Sequence, residues 1–319
     1  MKKHLITGIS GQDGLFLTKI IKDNEPDAKI LGISRQKNTS LIFKQLNSIK
    51  IANIENIKIV DFDLQNEDSV FRFVNEFNPD CVYNLSGPSS PSESITNPKK
   101  YNLVNLVFEN LINSLIKSNN FPRFFQASSS EMFKKSNQSL NENSLFETKS
   151  PYSKSKLKNH KRVFQLHNEF GWEIYSGIMF NHESEFRKDG YLFKKVINFA
   201  SEASKNKKGS LKIGSLNYIR DWSFAGDICE AIYKLTNYGT ERSYVLGSGV
   251  GHSIRDLVEL VFNYYDLPIE EFISIDDTLL RKGDAESIIA DPTKAMLELD
   301  WSTKLSFENL IIRCINSWS

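Results

Sequence analysis

Two tyrosines in this sequence stand four residues before a lysine: Tyr152 before Lys156 in "SPYSKSK", and Tyr191 before Lys195 in "YLFKK". On a helix such a pair shares one face. An ammonium one turn from a phenol favours phenolate and lowers the phenol pKa, which makes a proton-transferring couple. The spacing also arises by chance in a lysine-rich chain, so the surroundings decide. Tyr152 follows the strand-like run "RFFQASS", which ends at Ser129. A hydroxyl at the carboxyl end of a parallel strand lies where open α/β sheets bind ligands, and it can bond the same substrate oxygen as the tyrosine. Tyr191 follows the charged loop "FNHESEFRKDG", with no Ser or Thr strand end before it. It is read as a packing residue, and Lys195 as facing a ligand for a separate reason.

A second group is the stretch "LITGISGQDGLFL", with Gly8, Gly11 and Gly14 between a strand and a helix. Glycines there give a tight turn and let backbone approach a pyrophosphate, which the helix N-terminus attracts. The second strand ends "ILGISRQK". Where an acidic residue would hold a ribose 2′-hydroxyl, Ser34 and Arg35 stand instead. A guanidinium suits a 2′-phosphate, which favours NADP; a solvated arginine is the alternative. Asp63 in "DFDL" either reaches an adenine edge or caps the helix that "DLQNED" announces.

The elements that must position these groups alternate along the chain. β-Branched runs ("HLITGI", "KILGIS", "IKIVDFDL", "DCVYNL", "RFFQASS", "EIYSGIMFN") are separated by helix-length amphipathic runs such as "NLVNLVFENLINSLIKSNN". This predicts βαβ units, hence an α/β fold with a Rossmann-like, doubly wound parallel sheet. After about residue 182 the pattern loosens, which predicts a smaller C-terminal α/β substrate lobe. The expected division is 1–181 for the cofactor domain, with 223–250 returning to it, and 182–222 plus 251–319 for the lobe.

Composition excludes several classes. The 319 residues are 40% hydrophobic and 25% charged, and 40 basic against 39 acidic residues leave a net charge of +1. Neither the whole nor any long basic block suits nucleic acid. No apolar run approaches the ~20 residues of a membrane span. The start, "MKKHLITGISGQDG", lacks the ~7–15 apolar residues of a signal peptide. Cys81, Cys229 and Cys314 are scattered, odd in number and without metal spacing, so the expectation is no metal, no disulfide scaffold and a reducing cytoplasm.

Taken together, "TGISGQDG", the serine at the fifth strand end and "YSKSK" resemble the extended short-chain dehydrogenase/reductase superfamily. Within it, "TGISGQDG", "VYNLSGPSS", "QASSSEMF", "SPYSKSK", "MFNHES", "IRDW" and "DPTKAMLELDW" are similar, in the same order and over nearly the whole chain, to blocks of the GDP-mannose 4,6-dehydratases. That resemblance implies a hydro-lyase in which NADP stays tightly bound and is recycled. Tyr152, with Ser129 and Lys156, would take the proton of the sugar 4-hydroxyl as hydride leaves C4. Glu131 would remove the C5 proton and help expel the C6 hydroxyl as water before hydride returns to C6. Read without the resemblance, the alternative for Glu131 is a charged helix cap.

The resemblance further implies that Thr7, Gly8, Gly11, Gln12, Asp13, Gly14, Arg35, Asp63, Leu64, Leu85, Tyr152 and Lys156 hold the cofactor. Ser89, Asn181, Glu183, Lys195, Arg220 and Arg281 would hold the nucleotide-diphosphate sugar. Arginine forks suit the diphosphate; the alternative for each is a surface ion pair, and His182 reads as a satisfied loop histidine. A homodimer or homotetramer is implied. The chain departs from the family at Phe108 and Glu109, where the family has Gly-Thr, and at Ser215, where it has asparagine. The segment between "YDLPIEEF" and "LLRKGD" is short, and "QKNTSLIFKQLN" resembles the family's tetramer loop only loosely. These departures fit a relative acting on a related sugar such as a GDP-heptose or another NDP-hexose. The alternatives are an NADP-dependent nucleotide-sugar reductase or epimerase, which leaves Glu131 unexplained, and an NADP-sensing regulator, which would not need the Tyr/Lys pair.

Overall fold

A computed structural model describes the chain apart from Lys37, Ala52, Asn137, residues 281–284 and Ser319. Seven strands make the main sheet: β1 (Lys3–Thr7), β2 (Lys29–Ile33), β3 (Ile57–Val60), β4 (Cys81–Asn84), β5 (Arg123–Ser129), β6 (Ile174–Met179) and, from far along the chain, Ser243–Leu246. All pair in parallel. The order is β3-β2-β1-β4-β5-β6 with Ser243–Leu246 outside β6. This is the doubly wound order, in which the loops after β1 and β4 part and open a crevice at the strands' carboxyl ends. Every residue of β4 and β6 is buried, because helices cover both faces.

On one face lie α1 (Gln12–Asn24) and α2 (Thr39–Ser48), whose Leu15, Leu17, Ile21, Ile42 and Leu46 join one apolar cluster. On the other lie α3 (Glu67–Phe77) and, after the short α4 (Pro91–Thr96), α5 (Pro98–Lys117) and α6 (Pro151–Phe170). Phe108 of α5 is fully buried edge-on to Phe124, ring centres 5.9 Å apart. Glu109 reaches Arg162 of α6 at 3.7 Å. The departure from Gly-Thr is thus absorbed by a larger core and an ion pair, and α5 stays packed.

The run "EIYSGIMFN" is not one strand. It breaks at Phe180, and β7 (Asn181–Glu183) turns into the lobe, pairing with β9 (Ile219–Phe224). The lobe holds α7 (Leu192–Asn206), β8 (Leu211–Ile213) and β9. The chain then returns to the main sheet through α8 (Ala225–Tyr238) and β10 (Ser243–Leu246). Back in the lobe come β11 (Gly251–Ser253), α9 (Ile254–Tyr264), α10 (Ile269–Phe272), β12 (Ile273–Ile275) and β13 (Ser287–Ile288). A second return follows that the sequence division did not contain. α11 (Thr293–Leu299) and Trp301 join the α1–α8 core, and the Trp301 indole donates to Asp227 O at 2.8 Å. A buried indole requires such an acceptor. Finally α12 (Phe307–Trp318) packs Leu310, Ile311 and Ile315 into the lobe core. No helix among the described residues is long and apolar enough to cross a membrane.

Candidate active site

The glycine loop turns as the sequence requires. Gly8 has φ +77°, and a Cβ there would lie 3.0 Å from Leu85 O, so only glycine fits. Gly11 caps α1 without a side-chain cap bond, and with Gln12 and Asp13 it lines the crevice, so the helix start there has no side chain over its first N–H groups. Gly14 does not line the crevice; a Cβ on it would come within 2.5 Å of Ile9 Cα, so it serves the close packing of α1 on the loop. Thr7 also lies behind the wall. Its hydroxyl donates to Asn84 Oδ1 (2.8 Å) and accepts from Ser86 N (3.1 Å), tying β1 to the loop after β4.

The crevice is a single cleft of about 1130 Å³, lined by Gly8, Gly11, Gln12, Asp13, Arg35, Asp63, Leu64, Leu85, Ser129, Glu131, Tyr152 and Lys156 on the sheet side. Ser89, Asn181, Glu183, Lys195, Arg220 and Ser215 line it too. Arg281 lies outside the described residues. Arg35 is exposed at the end of β2. Asp63 caps no helix: its carboxylate accepts from Gln65 N at 2.9 Å, and α3 is capped by Asn66. An uncapped helix start, a left-handed glycine and a lysine and arginine on one wall fit a dinucleotide.

Tyr152 and Lys156 are placed by the start of α6. Ser150 and Ser153 form a capping box with Pro151 between them, fixing the first turn. The Tyr152 phenol is buried and hydrogen-bonded to Ser129. Lys156 Nζ donates to Ala127 O at 2.9 Å and stands 5.7 Å from the Tyr152 ring centre. The expected lowering of the phenol pKa by the lysine is not what this arrangement produces. Burial raises the Tyr152 pKa, with the Ser129 hydrogen bond opposing it. Burial also pushes Lys156 down to about 8, with Asp13 pulling the other way. Desolvation of both groups outweighs the interaction expected between them. Glu131 lies on the 3₁₀ turn Ser130–Met132, directly after β5, its N–H 3.3 Å from Ser129 Oγ. Its carboxylate is near enough to Tyr152 to act on the phenol pKa.

The lobe closes the cleft through polar contacts. Gln12 donates to His182 O (3.0 Å) and accepts from Ser184 (2.9 Å). His182 has Nδ1 on Phe180 O (2.7 Å) and Nε2 on Asp13 (3.1 Å). Both nitrogens face acceptors, an arrangement that favours the imidazolium. Burial opposes this charge, and Asp13 raises the pKa. Glu183 is engaged by Arg187 Nε at 2.5 Å rather than exposed for a ligand. Arg220, on β9, lies over the Tyr218 ring at 5.3 Å. Asn181 and Lys195 are exposed on the cleft rim. Ser215 accepts from Asn217 N at 3.1 Å. Tyr191 is not a packing residue. It caps α7 at the cleft, its hydroxyl 2.5 Å from Ser89 Oγ. Arg187, which the sequence reading passed over, stacks on it at 4.4 Å; the repeated Tyr-x-x-x-Lys spacing was the one signal in the sequence.

Fold and site together define a Rossmann-type enzyme of the extended short-chain dehydrogenase/reductase class. Among solved structures, the chain superposes on RMD from Pseudomonas aeruginosa complexed with NADPH (TM-score 0.79, 19% identity, 100% of this chain and 99% of that one). It also superposes on dTDP-glucose 4,6-dehydratase from Bacillus anthracis in complex with NAD (TM-score 0.83, 18% identity, 100% and 96%). In sequence it is 28% identical to GDP-mannose 4,6 dehydratase 2 of Arabidopsis thaliana, over 96% of this chain and 84% of that protein. It is 26% identical to the human GDP-mannose 4,6 dehydratase, over 98% and 90%. The profile of GDP-mannose 4,6 dehydratase matches residues 5–314; the chain belongs to that family.

Proposed function

We propose that the chain converts a GDP-linked sugar, GDP-mannose or a close relative such as a GDP-heptose, to the 4-keto-6-deoxy sugar, with NADP held throughout the cycle. The observation that carries this reading is Glu131 on the turn after Ser129, in the same cleft wall as Tyr152. A reductase or epimerase working at C4 alone moves a hydride and the hydroxyl proton, which the tyrosine and lysine serve; removing the C5 proton for an elimination needs a further base, and Glu131 is placed to be one.

A bound nicotinamide supplies the acceptor and donor of hydride and, when oxidised, a positive charge that favours phenolate. Gly8, Gly11 and the first turn of α1 would hold its pyrophosphate, Arg35 a 2′-phosphate, and Lys156 the nicotinamide ribose. Tyr152, its hydroxyl bonded to Ser129, receives the proton of the sugar 4-hydroxyl. Glu131 takes the proton from C5, acidified by the C4 ketone, and delivers it to the C6 hydroxyl, which leaves as water. Arg220 and Lys195 bring cations to the diphosphate. Arg281 belongs to the same reading by its place in the sequence alone.

Incubating the protein with a panel of nucleotide sugars and following product mass tests this. Loss of one water from a GDP-sugar supports it; turnover that consumes reduced cofactor, or inverts a centre without water loss, overturns it. A homodimer or homotetramer belongs to the same proposal, checked by sedimentation.

A further inference from the structure

The hydrogen bond between Tyr191 and Ser89, 2.5 Å long, joins two parts of the molecule that are 102 residues apart in sequence. Ser89 lies in the loop after β4, in the cofactor domain; Tyr191 starts α7, in the lobe. The bond therefore spans the cleft. The Tyr191 ring is held from behind: Arg187 covers it at 4.4 Å, and Arg187 is fixed by Glu183 and by His182 O. The same loop is anchored by Arg313, whose Nε and Nη2 reach the two carboxylate oxygens of Glu185 (2.9 and 2.5 Å), and by the Trp318 indole on Glu185 O (2.8 Å). The ring is thus aimed, while its hydroxyl makes one neutral bond to an exposed serine. Tyr191 also lies near enough to Tyr152 for the two phenols to interact.

We propose that Tyr191 and Ser89 form a clasp across the cleft, and that both hydroxyls exchange their mutual bond for bonds to the hydroxyls of the substrate's sugar ring, holding it against Tyr152. This rests on the reading that a nucleotide sugar occupies the cleft. Opening the clasp costs one neutral hydrogen bond, and a polyhydroxylated ring offers two in return, with donor and acceptor on each partner. A nucleoside diphosphate without the sugar has nothing to offer at this position. Tyr191 is thereby a positioning residue specific to the sugar.

Calorimetric titration of the cofactor-loaded protein with GDP-mannose and with GDP, for wild type, Tyr191→Phe, Ser89→Ala and the double variant, tests this. Neither substitution removes a core side chain, so folding is retained. Each single variant is expected to weaken GDP-mannose about two- to tenfold and leave GDP unchanged. The double variant should lose less than the product of the single losses, because the two hydroxyls share a ligand. Equal weakening of GDP and GDP-mannose, or no change in either, overturns the clasp and leaves the dehydratase reading standing. A wild type that binds GDP but none of a panel of GDP-hexoses and GDP-heptoses overturns both.

Discussion

Glu131 and Tyr152 sit on different elements and meet only because β5 ends where α6 begins its inward face. If Glu131 moves the C5 proton, Glu131→Gln keeps the shape of the side chain but not its basicity. Turnover should fall ~10²–10⁴-fold, while C4 oxidation survives. Mass spectrometry should then find a 4-keto sugar that has lost two hydrogens but no water, bound at the level of the enzyme. Near wild-type water loss would overturn the role. Arg35 carries the cofactor choice. Arg35→Asp should weaken NADP about 10- to 100-fold, as expected for losing bonds to a charged group, and NAD far less; equal losses in equilibrium binding would remove Arg35 from the 2′-phosphate. Lys156 supplies a pH dependence. Its folded-state pKa is about 8, so its charge is present below that value and disappears as pH rises through it, and kcat/KM should fall there. At this scale the position of Gly8 at a strand end, and of Tyr152 with Lys156 one turn on in a helix that starts at Pro151, was legible in the sequence, whereas Glu131 was singled out only through the family resemblance. The sequence did not reveal Tyr191, whose partner is 102 residues away, nor the raised pKa of Tyr152, which depends on burial that spacing does not express.

The elements show the same division. Alternating strands and helices through residue 179 could be read from periodicity, because each strand of the main sheet is buried on both faces and each helix on one. The short strands of the lobe could not. β11 and β13 have three and two residues, all half-buried, too few for a period to show. The break of "EIYSGIMFN" at Phe180 is likewise set by the partner, β9, and not by the run itself. α12 was placed in the lobe but not in its working relation to the cleft, where Arg313 and Trp318 grip Glu185. Arg313→Ala should release the loop of residues 184–191 without unfolding the domain, since a half-exposed ion pair is worth ~0.2–1 kcal/mol. Hydrogen exchange of those amides should speed up with Tm lowered by less than about 4 °C. Unchanged exchange would mean that Trp318, Arg187 and Gln12 hold the loop without Arg313.

The whole molecule is closed by contacts between its first and later segments, and one of them should be readable in its response to acid. Lys2 and His4 at the start of β1, Glu25 after α1 and Tyr233 on α8 form one polar cluster at the end of the sheet opposite the cleft. The Glu25 carboxylate accepts from Lys2 (3.2 Å), His4 Nε2 (3.2 Å) and the Tyr233 hydroxyl (2.9 Å). Burial alone would raise the Glu25 pKa. The bonds and charge of His4, with Tyr233 and Lys2, override it and bring the value from 4.5 to about 2. The folded pKa is thus below the unfolded one. The stabilisation is therefore complete above about 4.5 and is lost as pH falls from there through about 2. Glu25→Gln keeps the shape and an acceptor but never carries the charge, so it imitates the protonated acid. Partial exposure of the site limits the effect to about 1 kcal/mol, a Tm deficit of a few degrees at pH 7 against wild type. Followed by calorimetry down the pH scale, that deficit should hold to about pH 4.5, narrow below it and close near pH 2. A deficit that stays constant across this range would show that the side chain acts by packing and that the carboxylate charge does not tie the amino-terminal strand to α8.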